Sequence, residues 1–160
     1  MTKIYEKICE NLNETKELAQ IFAKLIEKNG CFISLYGEIG AGKTAFVKEV
    51  AAAIGITEKV TSPSFVILNE YHSANIPVYH FDLYRLENEG VKTIFDELSE
   101  YSESRQITFV EWAEFSQNQI PFDHIKINVT YDDNDYRKYA FEGFGEECEK
   151  IVSELSRFKN

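Results

Sequence analysis

The chain has 160 residues, 44% of them hydrophobic, which is enough for one ordinary hydrophobic core. Its 27 acidic and 17 basic side chains give a formal net charge of -10, which works against unaided binding to the nucleic-acid backbone. The three widely spaced cysteines indicate reduced thiols rather than a disulfide framework or a zinc knuckle, and no apolar run has membrane-spanning length. We therefore expect a cytoplasmic protein.

The first predicted element is an amphipathic helix that covers one face of a sheet. Its apolar residues repeat at helical spacing, namely Leu18, Ile21, Phe22, Leu25 and Ile26. Asn13 is the expected N-cap, and Gly30 is the expected C-terminal stop.

A strand, a glycine-rich loop and a second helix follow in direct succession. Residues 31–36 are mostly apolar, which is typical of a strand buried on both faces of a parallel sheet. From Lys43 onward the apolar residues again have helical spacing, and Gly55 closes that helix.

The rest of the chain is richer in strand patterns. We predict strands at 64–71, 77–84, 106–111, 124–130 and 136–141, and helices at 91–101 and 146–158. The short 130–136 connection favours an antiparallel hairpin. The order of elements predicts an α/β fold with a mixed sheet flanked by helices, ending in a C-terminal β-hairpin and helix. Without repeats or a linker, residues 1–160 are expected to form a single domain.

The glycine-rich loop matches the phosphate-binding pattern G-x-x-x-x-G-K-[ST], which makes the expected fold that of a P-loop NTPase. In such a loop the backbone N–H groups and the positive end of the following helix bind phosphate. The alternative is a glycine-rich turn that only caps a helix. We predict that ATP or ADP binds the following residues: Gly37, Glu38, Ile39, Gly40, Ala41, Gly42, Lys43, Thr44 and Ala45.

Two residues of the loop have separate expected roles. The Lys43 ammonium group contacts the β- and γ-phosphates, and the Thr44 hydroxyl is a ligand of Mg²⁺.

A metal-binding carboxylate is the next requirement of this chemistry. Residues 107–111 are a β-rich apolar run that ends in Glu111, as expected of a Walker B strand. Glu111 is our first choice for holding the Mg²⁺ water shell, and the alternative is a solvated glutamate at a strand end.

The predicted strand at 77–84 carries a row of polar side chains. Alternation places His80, Asp82 and Tyr84 on one face. Asp82 is a candidate metal ligand or water-orienting base. His80 is interpreted as a hydrogen-bonded structural histidine in preference to a transition-metal ligand, because no third ligand is evident.

Four segments in this order resemble the TsaE (YjeE) family of tRNA threonylcarbamoyladenosine biosynthesis proteins. They are residues 37–46, Thr61-Ser62-Pro63-Ser64-Phe65, the run from His80 to Leu86, and Val110-Glu111-Trp112. The resemblance covers about two-thirds of the chain by motif, since the C-terminal part agrees only in general character.

The resemblance implies a Mg²⁺-dependent ATPase that acts with TsaB and TsaD in forming N6-threonylcarbamoyladenosine at position 37 of tRNA. TsaC or Sua5 would supply the activated threonylcarbamoyl-adenylate. The resemblance also implies a switch-like loop containing Thr61, Ser62 and Ser64, carboxylates at Asp82 and Glu111 that serve the metal and the water, and Trp112 beside the site.

Some positions depart from the family pattern. Ala45 replaces a second threonine, Ser64 replaces a threonine while keeping a hydroxyl, and Ile39 stands where leucine is usual. The predicted helix at 91–101 lacks the glycine of the corresponding family segment, so it is given no role.

Other functions fit the sequence less well. No arginine lies in an evident finger or lid, so we expect slow hydrolysis by the isolated chain, and a small-molecule or nucleotide kinase ranks second. No guanine-selecting Asn-Lys-x-Asp segment follows the loop, which disfavours a GTPase. A nucleotide-dependent assembly switch overlaps the family role. Direct tRNA binding is disfavoured by the charge, so any tRNA contact is expected through partners.

Overall fold

The computed structural model describes residues 3–37, 42–57, 68–74, 76–82, 106–111 and 121–158. The strands are β1 (Lys3–Cys9), β2 (Cys31–Tyr36), β3 (Leu68–Tyr71), β4 (Val78–Asp82), β5 (Ile107–Glu111), β6 (His124–Tyr131) and β7 (Arg137–Phe144). The helices are α1 (Leu12–Ile26), α2 (Lys43–Ile54) and α3 (Glu146–Arg157).

The described strands form one mixed sheet in the order β1-β7-β6-β2-β5-β4-β3. The four central strands β6, β2, β5 and β4 run parallel, while β7 and β1 at one edge and β3 at the other are antiparallel to their neighbours. The predicted mixed α/β fold is confirmed. Because β2, β5 and β4 are parallel, their carboxyl ends meet at one edge of the sheet.

The N-cap of helix α1 lies two residues before the predicted one. The Asn11 side chain accepts a hydrogen bond from the Glu14 backbone N–H at 3.0 Å, so Asn11 is the N-cap and the assignment to Asn13 was wrong. Both asparagines precede the apolar repeat, and that repeat does not distinguish between them. The helix ends at Ile26, and Gly30 closes the turn after it, with its N–H donating to the Ile26 carbonyl at 2.9 Å.

Aromatic rings fill the space between the helices and the sheet. The Phe141 ring of β7 lies 5.3 Å from the ring of Phe22 on α1 and 6.0 Å from that of Phe46 on α2, measured between centroids. All three side chains are fully buried. Since each buried aromatic side chain removes about 150–250 Å² from water, this cluster holds both helices against one face of the sheet.

Strand β1 was not predicted. Its alternating residues pair antiparallel with β7, from Lys3 opposite Gly143 to Cys9 opposite Arg137. Ile4 and Ile8 remain exposed because β1 is an edge strand covered on one face only.

The other predicted elements are confirmed where they fall on described residues, with small shifts at their ends. The hairpin prediction is confirmed, since β6 and β7 are antiparallel with Tyr131 opposite Arg137. The predicted helix at 91–101 and the first part of the predicted strand at 64–71 lie outside the described residues. None of the three described helices is long and apolar enough to cross a membrane.

Candidate functional site

The phosphate loop joins the end of β2 to the start of α2. Gly37 follows the last residue of β2, and Gly42 caps α2 with a φ of +106°. This left-handed backbone is favourable for glycine and strained for other residues. The four intervening loop residues, Glu38, Ile39, Gly40 and Ala41, lie outside the described part of the chain.

Lys43 is the first residue of α2 and is nearly buried, with 5% of its surface exposed. Its ammonium group donates to the Gly37 carbonyl oxygen at 2.5 Å, across the mouth of the loop. A buried ammonium group needs such oxygen partners because burial removes its hydration. The contact places a positive charge between the two ends of the phosphate loop.

Thr44 meets the predicted Walker B carboxylate. Its hydroxyl oxygen lies 3.1 Å from each of the two carboxylate oxygens of Glu111. The sheet brings them together, since Glu111 pairs with Leu35 two residues before the loop. Glu111 is 3% exposed, so this is not a solvated glutamate at a strand end.

The hydroxyl and carboxylate oxygens form a donor set that suits Mg²⁺, which prefers hard oxygen ligands and completes its shell with water and substrate phosphates. Among the described residues, no group of three histidine, cysteine, aspartate or glutamate side chains converges as a metal cluster. Thr44 and Glu111 therefore fit part of a Mg²⁺ shell.

His80 is the third member of this cluster. Its Nε2 contacts the Glu111 Oε2, and its side chain is completely buried. The Phe109 ring packs edge-on against the imidazole, with centroids 6.4 Å apart. The interpretation of His80 as a hydrogen-bonded histidine is thus confirmed.

Asp82 ends β4, and its backbone pairs with that of Glu111 in parallel register. The register brings the two predicted carboxylate positions to neighbouring strand ends. The Asp82 side chain lies outside the described part of the structure, as do Tyr84, Trp112 and the switch-like residues Thr61, Ser62 and Ser64.

Arg137 is a residue of the site that the sequence did not indicate. A Cβ atom built on Gly42 would lie 2.9 Å from the Arg137 Cζ, so the guanidinium group packs directly against the phosphate loop. Burial lowers the pKa of Arg137, but the neighbouring hydroxyls of Tyr131 and Tyr139 outweigh it and raise the pKa above its ordinary value. Arg137 therefore remains charged.

The hairpin between β6 and β7 positions Arg137. The Asp132 side chain accepts backbone hydrogen bonds from Asn134 and Tyr136, both at 2.9 Å, which shapes the turn just before Arg137. No local motif marks the residue. Only the tight turn that precedes it is visible in the sequence, and the contact with Gly42 depends on long-range folding.

A cleft of about 420 Å³ adjoins Arg137. Its other lining residues come from the end of β1, the start of α1 and the hairpin, namely Cys9, Glu10, Asn11, Leu12, Thr15, Tyr131, Asp135 and Tyr136. The volume lies within the range of small-molecule sites, about 300–1,000 Å³. The cleft is therefore large enough for part of a nucleotide.

Comparison with known proteins gives a consistent result. The profile of the family described as "TsaE: Threonylcarbamoyl adenosine biosynthesis protein TsaE" matches residues 9–139. The tRNA threonylcarbamoyladenosine biosynthesis protein TsaE of Bacillus subtilis is 37% identical over 150 residues, covering 94% of this chain and 92% of that protein. The protein of the same name from Haemophilus influenzae is 34% identical over 119 residues, covering 74% and 75%.

The fold has a close counterpart among solved structures. The crystal structure of Bacillus subtilis YdiB aligns with a TM-score of 0.83 and 33% sequence identity, over 100% of this chain and 99% of that one. Sequence and fold thus agree over nearly the whole chain. On these grounds the chain belongs to the TsaE family of threonylcarbamoyl adenosine biosynthesis proteins.

Proposed function

We propose that this chain is the ATPase component of the machinery that forms N6-threonylcarbamoyladenosine at position 37 of tRNA, and that residues 1–160 act as one P-loop ATPase domain. The observation that carries the proposal is the contact of Thr44 with Glu111 beside the buried Lys43, in a member of the TsaE family. The names of the relatives supply the pathway.

The residues of the loop would bind the phosphates of ATP or ADP. The Lys43 ammonium group would exchange its contact with the Gly37 carbonyl for the β- and γ-phosphate oxygens, while loop amides from Gly37 through Ala45 donate to the remaining oxygens. These groups neutralise charge that develops as the terminal phosphate leaves.

Thr44 and Glu111 would hold Mg²⁺, Thr44 as a direct ligand and Glu111 through the water shell. Bound there, Mg²⁺ supplies charge neutralisation at the β- and γ-phosphates. Asp82, paired with Glu111 across two strand ends, is proposed to serve the metal or to orient the attacking water.

Arg137 and its cleft extend the proposed nucleotide site. The guanidinium group lies against Gly42, at the point where phosphates approach the helix N-terminus. The adjoining cleft of about 420 Å³ is proposed to receive the nucleoside part of ATP. The loop containing Thr61, Ser62 and Ser64 is proposed to act as a switch over the nucleotide.

The proposed partners are TsaB and TsaD in the cytoplasm, with tRNA held mainly by the complex. A net charge of -10 repels a phosphate backbone, so a partner is needed to bring tRNA near this chain. Slow turnover by the isolated chain is proposed, because a partner can complete such a site and raise its rate by about 10³–10⁵.

The pathway assignment is tested by reconstitution. TsaB, TsaD, unmodified tRNA, ATP and enzymatically made threonylcarbamoyl-adenylate are combined with and without this chain, and the modified nucleoside is measured by mass spectrometry. We expect repeated rounds of modification only when the wild-type chain is present, and not with Lys43→Ala. Equal yields without the chain would contradict the proposal.

A further inference from the structure

The most tightly enclosed polar contact of the site involves a residue to which the proposed function gives no task. His80 is completely buried on β4, and its Nε2 meets the Oε2 of Glu111 on β5. Its partner strand places Phe109 opposite it in register, and the Phe109 ring packs against the imidazole edge-on, at 77° between ring planes. Packing therefore fixes the ring as well as the hydrogen bond.

The contact has a defined direction. An ionised carboxylate only accepts hydrogen bonds, so the proton between these groups belongs to the His80 Nε2, which donates. Among the described residues, nothing bonds to the other ring nitrogen, Nδ1. The geometry thus favours the tautomer that carries its hydrogen on Nε2.

Glu111 is held from two sides. The Thr44 hydroxyl of α2 lies 3.1 Å from both carboxylate oxygens, whereas His80 contacts Oε2 alone. Thr44 by itself leaves the carboxylate free to rotate about its bond to the side chain. A second donor on Oε2 restricts that rotation, so the two donors together define the orientation of the carboxylate.

We propose that His80 is a positioning residue: it donates to Glu111 and fixes the carboxylate orientation on which the Mg²⁺ affinity of the nucleotide site depends. This inference rests on the proposed function, since it takes Glu111 as a group that holds the metal shell. Outer-shell groups change metal affinity about 10- to 100-fold when they are removed, and His80 acts through such a group, so its loss is expected to cost about tenfold, at the lower end of that range.

Two substitutions separate positioning from packing. His80→Gln keeps an N–H donor at similar reach, and His80→Leu fills the same space without a donor. His124→Leu is the matched control, because His124 also packs on a phenylalanine ring, at 4.6 Å from Phe144, and lies at the start of β6 away from the loop. Circular dichroism and thermal unfolding establish that each variant is folded.

The measured quantity is the Mg²⁺ concentration that half-saturates binding of a fluorescent non-hydrolysable ATP analogue, alongside analogue affinity in EDTA. We expect His80→Leu to raise that Mg²⁺ concentration about tenfold, with His80→Gln much closer to wild type and the EDTA affinity unchanged. His124→Leu should match wild type. A folded His80→Leu variant with wild-type Mg²⁺ dependence would overturn the proposal.

Two further measurements distinguish a failure of the positioning role from a failure of the proposed function. If Glu111→Gln also leaves Mg²⁺ dependence unchanged, the assignment of Glu111 in the proposed function fails. Independently of metal and activity, nitrogen-15 NMR of the metal-free protein should show a proton on the His80 Nε2 that exchanges more slowly than in Glu111→Gln. An unprotonated Nε2 in the wild-type protein would overturn the positioning role, even if His80→Leu does not fold.

Discussion

At the scale of single residues, the site combines groups that the sequence marks with groups that only the fold brings together. Lys43, Thr44 and Glu111 stand in motifs whose spacing follows from phosphate and metal chemistry. Arg137 and His80 acquire their positions from other strands, through contacts with Gly42 and Glu111. No sequence motif indicates the roles of Arg137 and His80, so substitutions are needed to test them.

Gly42 is predicted to be irreplaceable for nucleotide binding. In Gly42→Ala, the new methyl group would be strained at a φ of +106° and would meet the Arg137 guanidinium at 2.9 Å. We expect ATP affinity to fall at least about tenfold, equivalent to about 1.4 kcal/mol, in a titration with labelled ATP. Gly55→Ala is the control, because it caps the other end of α2 at a φ of +104° with nothing within 4 Å. A folded Gly42→Ala variant that binds ATP as tightly as wild type would contradict this prediction.

Arg137 is predicted to contribute to nucleotide binding without affecting the metal. Arg137→Ala removes the charge beside Gly42, so we expect weaker ATP binding, by about tenfold. The Mg²⁺ concentration for half-saturation should not change, because Thr44 and Glu111 remain in contact. Arg157→Ala at the end of α3 serves as the charge-matched control. Equal ATP affinity in Arg137→Ala and wild type would contradict a role for Arg137.

At the scale of elements, the sequence predicted the elements that depend on local patterns and missed those that depend on long-range pairing. β2, the loop and α2 follow one another in the chain, so apolar runs and glycines were enough to locate them. β1 and the Arg137 contact depend on pairing between the two ends of the chain, which no local window contains. The Asn11 cap was missed for a different reason, since two asparagines with the same chemistry precede the apolar repeat.

The aromatic cluster is predicted to determine the stability of the helix-to-sheet packing. Phe141→Ala leaves a cavity between β7, α1 and α2, so we expect a loss of about 3–5 kcal/mol in the free energy of unfolding. Phe122→Ala is the control, since that side chain is 77% exposed and should change stability by less than about 0.5 kcal/mol. Denaturant unfolding compares the two. Similar losses in both variants would contradict the assignment of the core.

Where α3 meets β2, two thiols face each other and should titrate differently. The neighbouring Cys31 thiol lowers the pKa of Cys148, while Cys148 and burial raise the pKa of Cys31 well above its ordinary value. Both residues line a cleft of about 610 Å³. The Cys148 thiol should therefore ionise first as pH rises.

Removing the Cys31 thiol should raise the pKa of Cys148. In Cys31→Ala the remaining influences on Cys148 are burial and the nearby acids Asp123 and Glu147, all of which raise its pKa. We expect alkylation of Cys148, followed against pH by peptide mass spectrometry, to shift to higher pH in that variant. Cys9→Ala is the control, because burial raises the pKa of that separate thiol. An unchanged Cys148 profile in Cys31→Ala would contradict the coupling.

At the scale of the whole molecule, the sheet order explains why one edge carries the candidate chemistry. The central parallel strands deliver Gly37, Glu111 and Asp82 to adjacent positions, and the C-terminal hairpin brings Arg137 to the same loop. The strands that carry these predicted site residues therefore end next to one another in the sheet. The net charge of -10 works against direct contact with the phosphates of tRNA.

The measurement that tests the ATPase assignment most directly is ADP release by the purified chain, alone and with TsaB, TsaD and tRNA, with Lys43→Ala as the blank. We predict slow hydrolysis by the chain alone, marked stimulation by the partners, and no activity above background in the blank. Fast phosphate transfer to a small-molecule acceptor without partners would instead indicate a kinase. Partner-independent activity that survives Lys43→Ala would contradict the account.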